Sequence, residues 1–585
     1  MKSKRINMTA LASGVALAVS AMSAQAVDQP LLTVAGPKSG VSITGGATVN
    51  GGASYLAEVP AATAADLVAT IEPASADVGQ TGSIVVAASI PGLGIFLKLS
   101  GGIWIQYNEG DPVQPYKTKT LAAVEEINIL EGLIGDDTNL TGMQIDAYVG
   151  YYTGDLSNLT YNANAASLAI AETAGSSCPT NTTSTTGTFK GKSVCVLSGR
   201  IESDTHLTSN FSYLLDGAVF IGSSTPSGDK TKLTVDAGTY VFGQTGLNFL
   251  VVDRDGELHA NGAPDAPVIF TYEGDDTATA STTGQWGGLI LNGNATINVA
   301  GGEAEGEGST GAYGGSDDDD SSGVLTYVQV KYAGQNITEE NELNGIAFQG
   351  TGSGTLVDYV QVHNNSDDGI EFFGGTTDAK HIVLTGNEDD ALDWTFGWDG
   401  RVQFVAIKQN TVSEHCVEAD NNSDNNDATP RANPTIANLT CAGPAEGFDS
   451  GFRLREGTGV DMYNVVMSTF DYCIDIDQTA TFTNAGGSIA GLNGNLAISS
   501  SRFSDACVFE DEERDPFTVT DWFAAQSGTT TMTLDLGGPN GWANGSALNA
   551  VDPTFPSDDF FVEVDYIGAV KDESSDWTVG WTYSD

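Results

Sequence analysis

The chain is poor in positive charge. Its 585 residues carry 23 Lys and Arg against 76 Asp and Glu, a formal net charge of −53 at pH 7. A surface of that sign repels phosphate backbones and anionic headgroups, so nucleic acid and acidic membranes are excluded as default partners. It suits solubility in salty water, divalent cations or a cationic partner. Histidine is scarce too: His206, His259, His363, His381 and His415 are all there are, and none has the His-x-x-x-His spacing of a zinc protease. The six cysteines form no Cys-x-x-Cys pair, which argues against a zinc or thioredoxin-like site. Past the N-terminus no run approaches the roughly 20 apolar residues of a spanning helix, so no membrane span is expected.

Residues 1–26 read as a signal peptide. Lys2, Lys4 and Arg5 precede an apolar run, and Ala24-Gln25-Ala26 is a small-x-small cleavage site. No cysteine follows that site, so a lipid anchor is not expected. The mature protein is expected outside the inner membrane: secreted, at the cell surface or in the periplasm. In that setting an even number of cysteines suggests disulfides. Joining neighbours is the simplest of fifteen pairings: Cys178–Cys195, Cys416–Cys441 and Cys473–Cys507.

Residues 27–65 form a Gly- and Thr-rich leader. From 66 to 170 the pattern is strand-like, as in Ser83-Ile-Val-Val-Ala-Ala and Gln144-Ile-Asp-Ala-Tyr-Val-Gly-Tyr-Tyr. Strands of this kind over about a hundred residues suggest a small β-sandwich. Asp77-Val-Gly-Gln with a Trp strand and a Gly-Tyr strand resembles an N-terminal module of exported bacterial proteins. Residues 171–200 are a Ser/Thr-rich linker.

A repeat dominates 201–514. Asp367-Asp-Gly-Ile-Glu-Phe-Phe-Gly aligns with Asp389-Asp-Ala-Leu-Asp-Trp-Thr-Phe-Gly, and His381-Ile-Val-Leu with Gln403-Phe-Val-Ala, each 22 positions on. Tyr327-Val-Gln-Val and Tyr359-Val-Gln-Val lie 32 apart, one period plus an insertion. Short strands at this period match one coil of a right-handed parallel β-helix, with coils stacked about 4.8 Å apart. Such a fold adds core lengthwise, which lets a long chain stay folded without one large core. Residues 515–585 read as a cap over the last coil, with one short helix near Val519–Gln526 and a strand-like Phe560–Val570.

The segments Gln285-Trp-Gly-Gly-Leu-Ile-Leu-Asn-Gly, Gly323-Val-Leu-Thr-Tyr-Val-Gln-Val-Lys-Tyr-Ala-Gly and His363-Asn-Asn-Ser-Asp-Asp-Gly-Ile-Glu-Phe-Phe-Gly-Gly resemble exported bacterial β-helix proteins of the pectate-lyase-like superfamily. The resemblance spans roughly residues 230–470. That superfamily includes lyases, hydrolases, adhesins and proteins of unknown role, so it implies the fold and leaves the function open.

The period makes a sharp prediction. It sets Asp367 over Asp389, Asp368 over Asp390 and Glu371 over Asp393. Like charges one rung apart repel by roughly 1 kcal/mol in water, and by more where water is excluded. A Ca²⁺ ion between them, or protonation of some acids, would relieve this; acids pointing into solvent would not need relief. Asp367, Asp368, Glu371, Asp389, Asp390 and Asp393 are therefore candidate Ca²⁺ ligands. The Asp317–Asp320 run is a weaker candidate, since it lacks EF-hand spacing. Trp394, Trp398 and Arg401, beside the stack, could contact a polysaccharide or a cell-surface component.

An enzyme would need more. Lyases of this superfamily use Ca²⁺-bound acids with an Arg or Lys base, and Arg401, Lys408, Arg453 and Arg455 are available. The Trp-Ile-Asp-His run of one lyase family is missing. Asp367-Asp368 faintly resembles the paired acids of polygalacturonases, but their Gly-His-Gly turn is missing as well. The expectation is a Ca²⁺-stabilised binding or structural β-helix, with a polysaccharide lyase or glycoside hydrolase as the alternative.

Overall fold

A computed structural model describes residues 31–49, 58–60, 64–91, 94–107, 112–133, 143–171, 177–225, 228–337, 342–443, 450–468, 470–538 and 540–584. The stretch read as a signal peptide, residues 1–26, lies outside them. The chain divides into two compact units, Met1–Ser176 and Ser177–Asp585.

The first unit packs two sheets. One has four antiparallel strands, in the order Leu31–Leu32, Ser42–Thr48, Ala65–Glu72, Glu125–Leu133. The other is built on Gln144–Tyr152 paired with Thr81–Ile90. Alternate residues of Ala65–Glu72 are buried, the period-two signature of a strand with one face on a core. Strands thus begin inside the stretch read as a leader. The Asp77 motif has a structural use. Its carboxylate takes a hydrogen bond from the Tyr151 hydroxyl and pairs with Lys38, both at 2.8 Å. Burial pushes the Tyr151 phenol up to about 12.

Among its described residues the second unit winds a sheet of 26 strands, all but the first pairing in parallel, into a parallel β-helix. It opens in the Ser/Thr-rich stretch, where Thr183–Phe189 and Lys192–Ile201 form a hairpin. From there strands stack in parallel register. Ile370 sits on Ile346 and under Leu392, then come Val417, Phe452 and Ile474. All six are buried. A parallel ladder spaces its rungs evenly, so like side chains stack directly. Phe348 stacks on Phe372 at 5.0 Å between ring centres, and Phe372 on Trp398 at 4.1 Å.

Longer strands bend at a corner. Tyr327, Tyr359, His381, Phe404, Asn438 and Asn464 all have positive φ, between 49° and 64°. An L side chain there costs about 1 kcal/mol or more, which stacking with the neighbours above and below offsets. Tyr327, Tyr359, His381 and Phe404 stack at 4.4, 4.2 and 4.9 Å.

Three disulfides join Cys178–Cys195, Cys416–Cys441 and Cys473–Cys507. The helix Val519–Ala524 sets Val519, Trp522 and Phe523 against the core of the stack. The remainder does not cap an end. Residues 533–538 and 540–584 run back along the flank of the coils, and Phe560–Val570 is irregular there, with its main chain bonded to side chains of the coils and one isolated bridge from Val570 to Ala543.

Phe372 lies between two rings in the core, so Phe372→Ala should destabilise the β-helix by about 3–5 kcal/mol. Urea unfolding followed by tryptophan fluorescence would check this; a loss below about 1 kcal/mol would contradict the packing described.

Candidate functional site: a carboxylate ladder

Outward-facing side chains on one sheet form a column. It runs Val251, Ile290, Ala347, Glu371, Asp393, Glu418, Arg453, Asp475. Its apolar half is covered: Ile297, Tyr313 and Leu343 of the inserted loops pack on Val251, Ile290 and Ala347. Acids begin where that cover ends. In the turn before each strand a second column forms from Asn344, Asp368, Asp390 and His415. It is set by main-chain bonds from Gly345 to Asp368, Gly369 to Asp390 and Ala391 to His415, at 2.8–3.0 Å.

The two columns bring together the acids expected from the 22-residue period. Oxygens of Asp368, Glu371 and Asp393 lie within 4.8 Å of one another, as do those of Asp368, Asp389 and Asp390. A third group joins Asp367 and Asp389 to Glu342 from the inserted loop, on the same criterion. These are not solvated turn residues: Asp367, Asp368, Glu371, Asp390 and Asp393 are all buried.

Cations are present on one side only. The Asp390 carboxylate accepts the His415 main-chain N–H at 2.9 Å and meets the imidazole Nδ1 at 2.6 Å. Arg455 bonds Glu418 at 2.5 Å and Asp420 at 2.9 Å, and Arg453 lies 3.9 Å from Asp475. By contrast, among the described residues no ion pair reaches Asp367, Asp368, Glu371, Asp389 or Asp393. Asn344 donates to Glu371 at 2.6 Å. The Oδ1 atoms of Asn344 and Asp393 are buried and have no hydrogen-bond partner among the described residues.

The electrostatics follow. Burial first, then the charge of Asp389, pushes Asp367 well above the carboxylate range. Burial and the charges of Asp367 and Asp393 do the same to Asp368, and burial with Glu307 does so to Glu371. Asp393 is raised by burial and Glu371. Asp389 is pushed up to about 7 and Glu418 to about 8, again by burial and then by Asp390. Burial would lower the His415 imidazole, but Asp390 and Glu418 hold it above its ordinary value.

Other expected residues lie elsewhere. Trp394 and Trp398 are fully buried, their indoles bonded to Thr458 and to the Thr377 carbonyl. They pack the interior, which removes the sugar-stacking role suggested by sequence. The inward-pointing member of each alternating pair is the aromatic one, and the outward one is the acid. Arg401 pairs with Asp378 and Asp558 on the flank. The Asp317–Asp320 run holds its own loop: Asp320 pairs with Lys230 at 2.6 Å and Asp318 accepts from the Thr296 N–H at 2.9 Å. Asn344, Glu342, His415 and Glu418 escaped the sequence reading. His415 and Glu418 continue the columns of Asp390 and Asp393 at an offset of 25, because that coil is three residues longer.

Taken together, the fold and the ladder define a parallel β-helix bearing a buried, anion-rich flank. A pectate-lyase like beta helix domain model matches residues 199–582. The chain belongs to that family. No curated protein matches it. Among solved structures, the catalytic unit of a thermostable GH87 alpha-1,3-glucanase from Streptomyces thermodiastaticus strain HF3-3 is 12% identical, over 82% of this chain and 87% of that one, at a TM-score of 0.27. The Agl-KA catalytic domain is 11% identical, over 88% and 100%, at a TM-score of 0.20. Overlaps this loose carry nothing about activity.

The raised carboxyls fix a pH dependence. Folding favours their protonated forms, so their stabilisation is present below the ordinary carboxylate pKa of about 4. It is lost as pH rises through about 7 for Asp389 and about 8 for Glu418. Melting followed by circular dichroism in EDTA should show Tm falling between pH 5 and 8.5. Asp393→Asn should flatten that fall and raise Tm at pH 8; an unchanged slope would refute the electrostatic account.

Proposed function

We propose that this protein is an exported β-helix with a binding or structural role outside the inner membrane, and that its carboxylate ladder takes up Ca²⁺. The observation that carries the reading is the one-sided charge balance. Four buried carboxyls, Asp367, Asp368, Glu371 and Asp393, and the half-buried Asp389 cluster together, while the available His and Arg serve Asp390, Glu418, Asp420 and Asp475. Carboxylates and an amide carbonyl are hard oxygen donors in the number Ca²⁺ accepts, and a flexible ligand set suits it better than Mg²⁺. Asp368, Glu371 and Asp393, with the Asn344 carbonyl, would hold the ion. It would supply the charge that lets these acids ionise inside the protein. Three disulfides fit an oxidising compartment.

A second reading, a carbohydrate-active enzyme, draws on the carboxyls of Asp389 and Glu418, pushed up to about 7 and about 8 by burial and Asp390, which could act as acids. Both carboxyls are half-buried, which narrows access for a polysaccharide and weighs against this reading. Polysaccharide remains the partner class we favour for binding.

Calorimetric titration with CaCl₂ after EDTA treatment should show saturable uptake with proton release. With 1 mM Ca²⁺ and a Kd near 10 μM, stability should rise by about 2.7 kcal/mol. Asp368→Asn/Asp393→Asn should abolish both effects. No heat and no shift in Tm would discard the ion. New reducing ends or unsaturated products from a polysaccharide panel would favour the enzyme instead.

A further inference from the structure

The flank opposite in character to the acid ladder is the aromatic corner, and the chain covers it with its own residues 571–584. Tyr359 is stacked between Tyr327 and His381, and His381 between Tyr359 and Phe404. The faces of the inner rings are therefore taken, and only ring edges point outward. Trp577 and Trp581 meet those edges at right angles: Trp581 lies 5.8 Å from both Tyr327 and Tyr359, and Trp577 is 5.0 Å from His381. A sugar ring seeks an aromatic face, so this surface is unsuited to glycans. It suits a segment that offers aromatic faces of its own.

Beside the corner, side-chain amides read main chain. Gln361 donates to the Tyr583 carbonyl and accepts its N–H, both at 2.7 Å. Gln329, one coil away, donates to the Trp581 carbonyl. Upstream of residues 571–584, and not part of that segment, Gln403 makes the same double bond to Val562, both at 2.8 Å, and Asn464 makes it to Thr554 at 2.7 and 2.9 Å. Lys331 sits over the Tyr583 ring at 4.1 Å. The contacts of Gln361, Gln329 and Lys331 hold a turn-rich segment that bears Trp-x-x-x-Trp-x-Tyr and one 3-10 turn at Glu573–Ser575. Nothing covalent holds it, because all six cysteines lie between 178 and 507. Nor does a sheet ladder: no strand is found in 571–584, and the isolated bridge Ala543–Val570 lies just before the segment.

We propose that residues 571–584 are a detachable clasp, and that the groove they occupy is a receptor for the clasp of a second copy of this chain. Exchange replaces every contact by its identical counterpart, so it costs association entropy and little else. Each copy carries a net charge of −53, and repulsion between copies opposes the exchange at low ionic strength and weakens as salt is added.

Energy transfer between full-length chains tests this. One population carries a donor dye on Val579→Cys, the other an acceptor on Leu356→Cys; the parent residues are 67% and 52% exposed. A chain carrying both dyes serves as the intramolecular control. Mixed singly labelled populations should develop transfer, faster and to a greater extent at 1 M than at 50 mM NaCl. Trp577→Ala/Trp581→Ala in the donor chain should lower it at least tenfold. Absence of transfer in the mixture at both salt concentrations, with the control positive, would overturn the proposal, and so would transfer that survives the double substitution. Light scattering on unlabelled protein should show mass above the monomer rising with concentration in 1 M NaCl; a constant monomer mass would count against it.

Discussion

Parallel stacking in register governs this molecule. Once coils lie about 4.8 Å apart, every side chain has a near-copy of its own environment above and below. For Ile346, Ile370, Leu392 and Val417 the result is a continuous core. For Glu371, Asp393 and Glu418 the same geometry places acid on acid. Attraction and repulsion along the molecule arise from one repeat.

The chain manages the repulsive column by position. Where the outward column is apolar, inserted loops cover it; where it turns acidic, His415, Arg453 and Arg455 neutralise the later rungs. Between these two solutions lie Asp368, Glu371 and Asp393, buried and, among the described residues, in no ion pair with the arginines. That intermediate position gives the cluster its raised pKa values and its suitability for a cation. On the other flank, register costs little. Aromatic rings stack well, and the left-handed corner they occupy is held by the rings on either side.

Much of this was legible. The 22-residue offset named the fold and the stacked pairs Asp367/Asp389, Asp368/Asp390 and Glu371/Asp393, and joining neighbouring cysteines gave the disulfide pairing. Trp394 and Trp398 were misread because a repeat shows which residues stack and leaves open which side faces in. Asp393 and Trp394 are adjacent, and strand alternation gives them opposite destinations. His415 and Glu418 were hidden by three extra residues in one coil, which breaks the numerical period without breaking the register. Asn344 and Glu342 sit beyond an insertion and share no motif with the acids they join.

The sequence by itself determined the periodicity, and with it the coil, the core columns and the coincidence of acids, because neighbour relations in a stack depend only on chain length per turn. Which acids lack a counter-charge was decided by the tertiary structure alone. Burial and ion pairing depend on where loops from distant positions land, as Leu343 and Glu342 do at the acid ladder and Trp577 and Trp581 do at the aromatic corner. A repeat carries no information about contacts made across it.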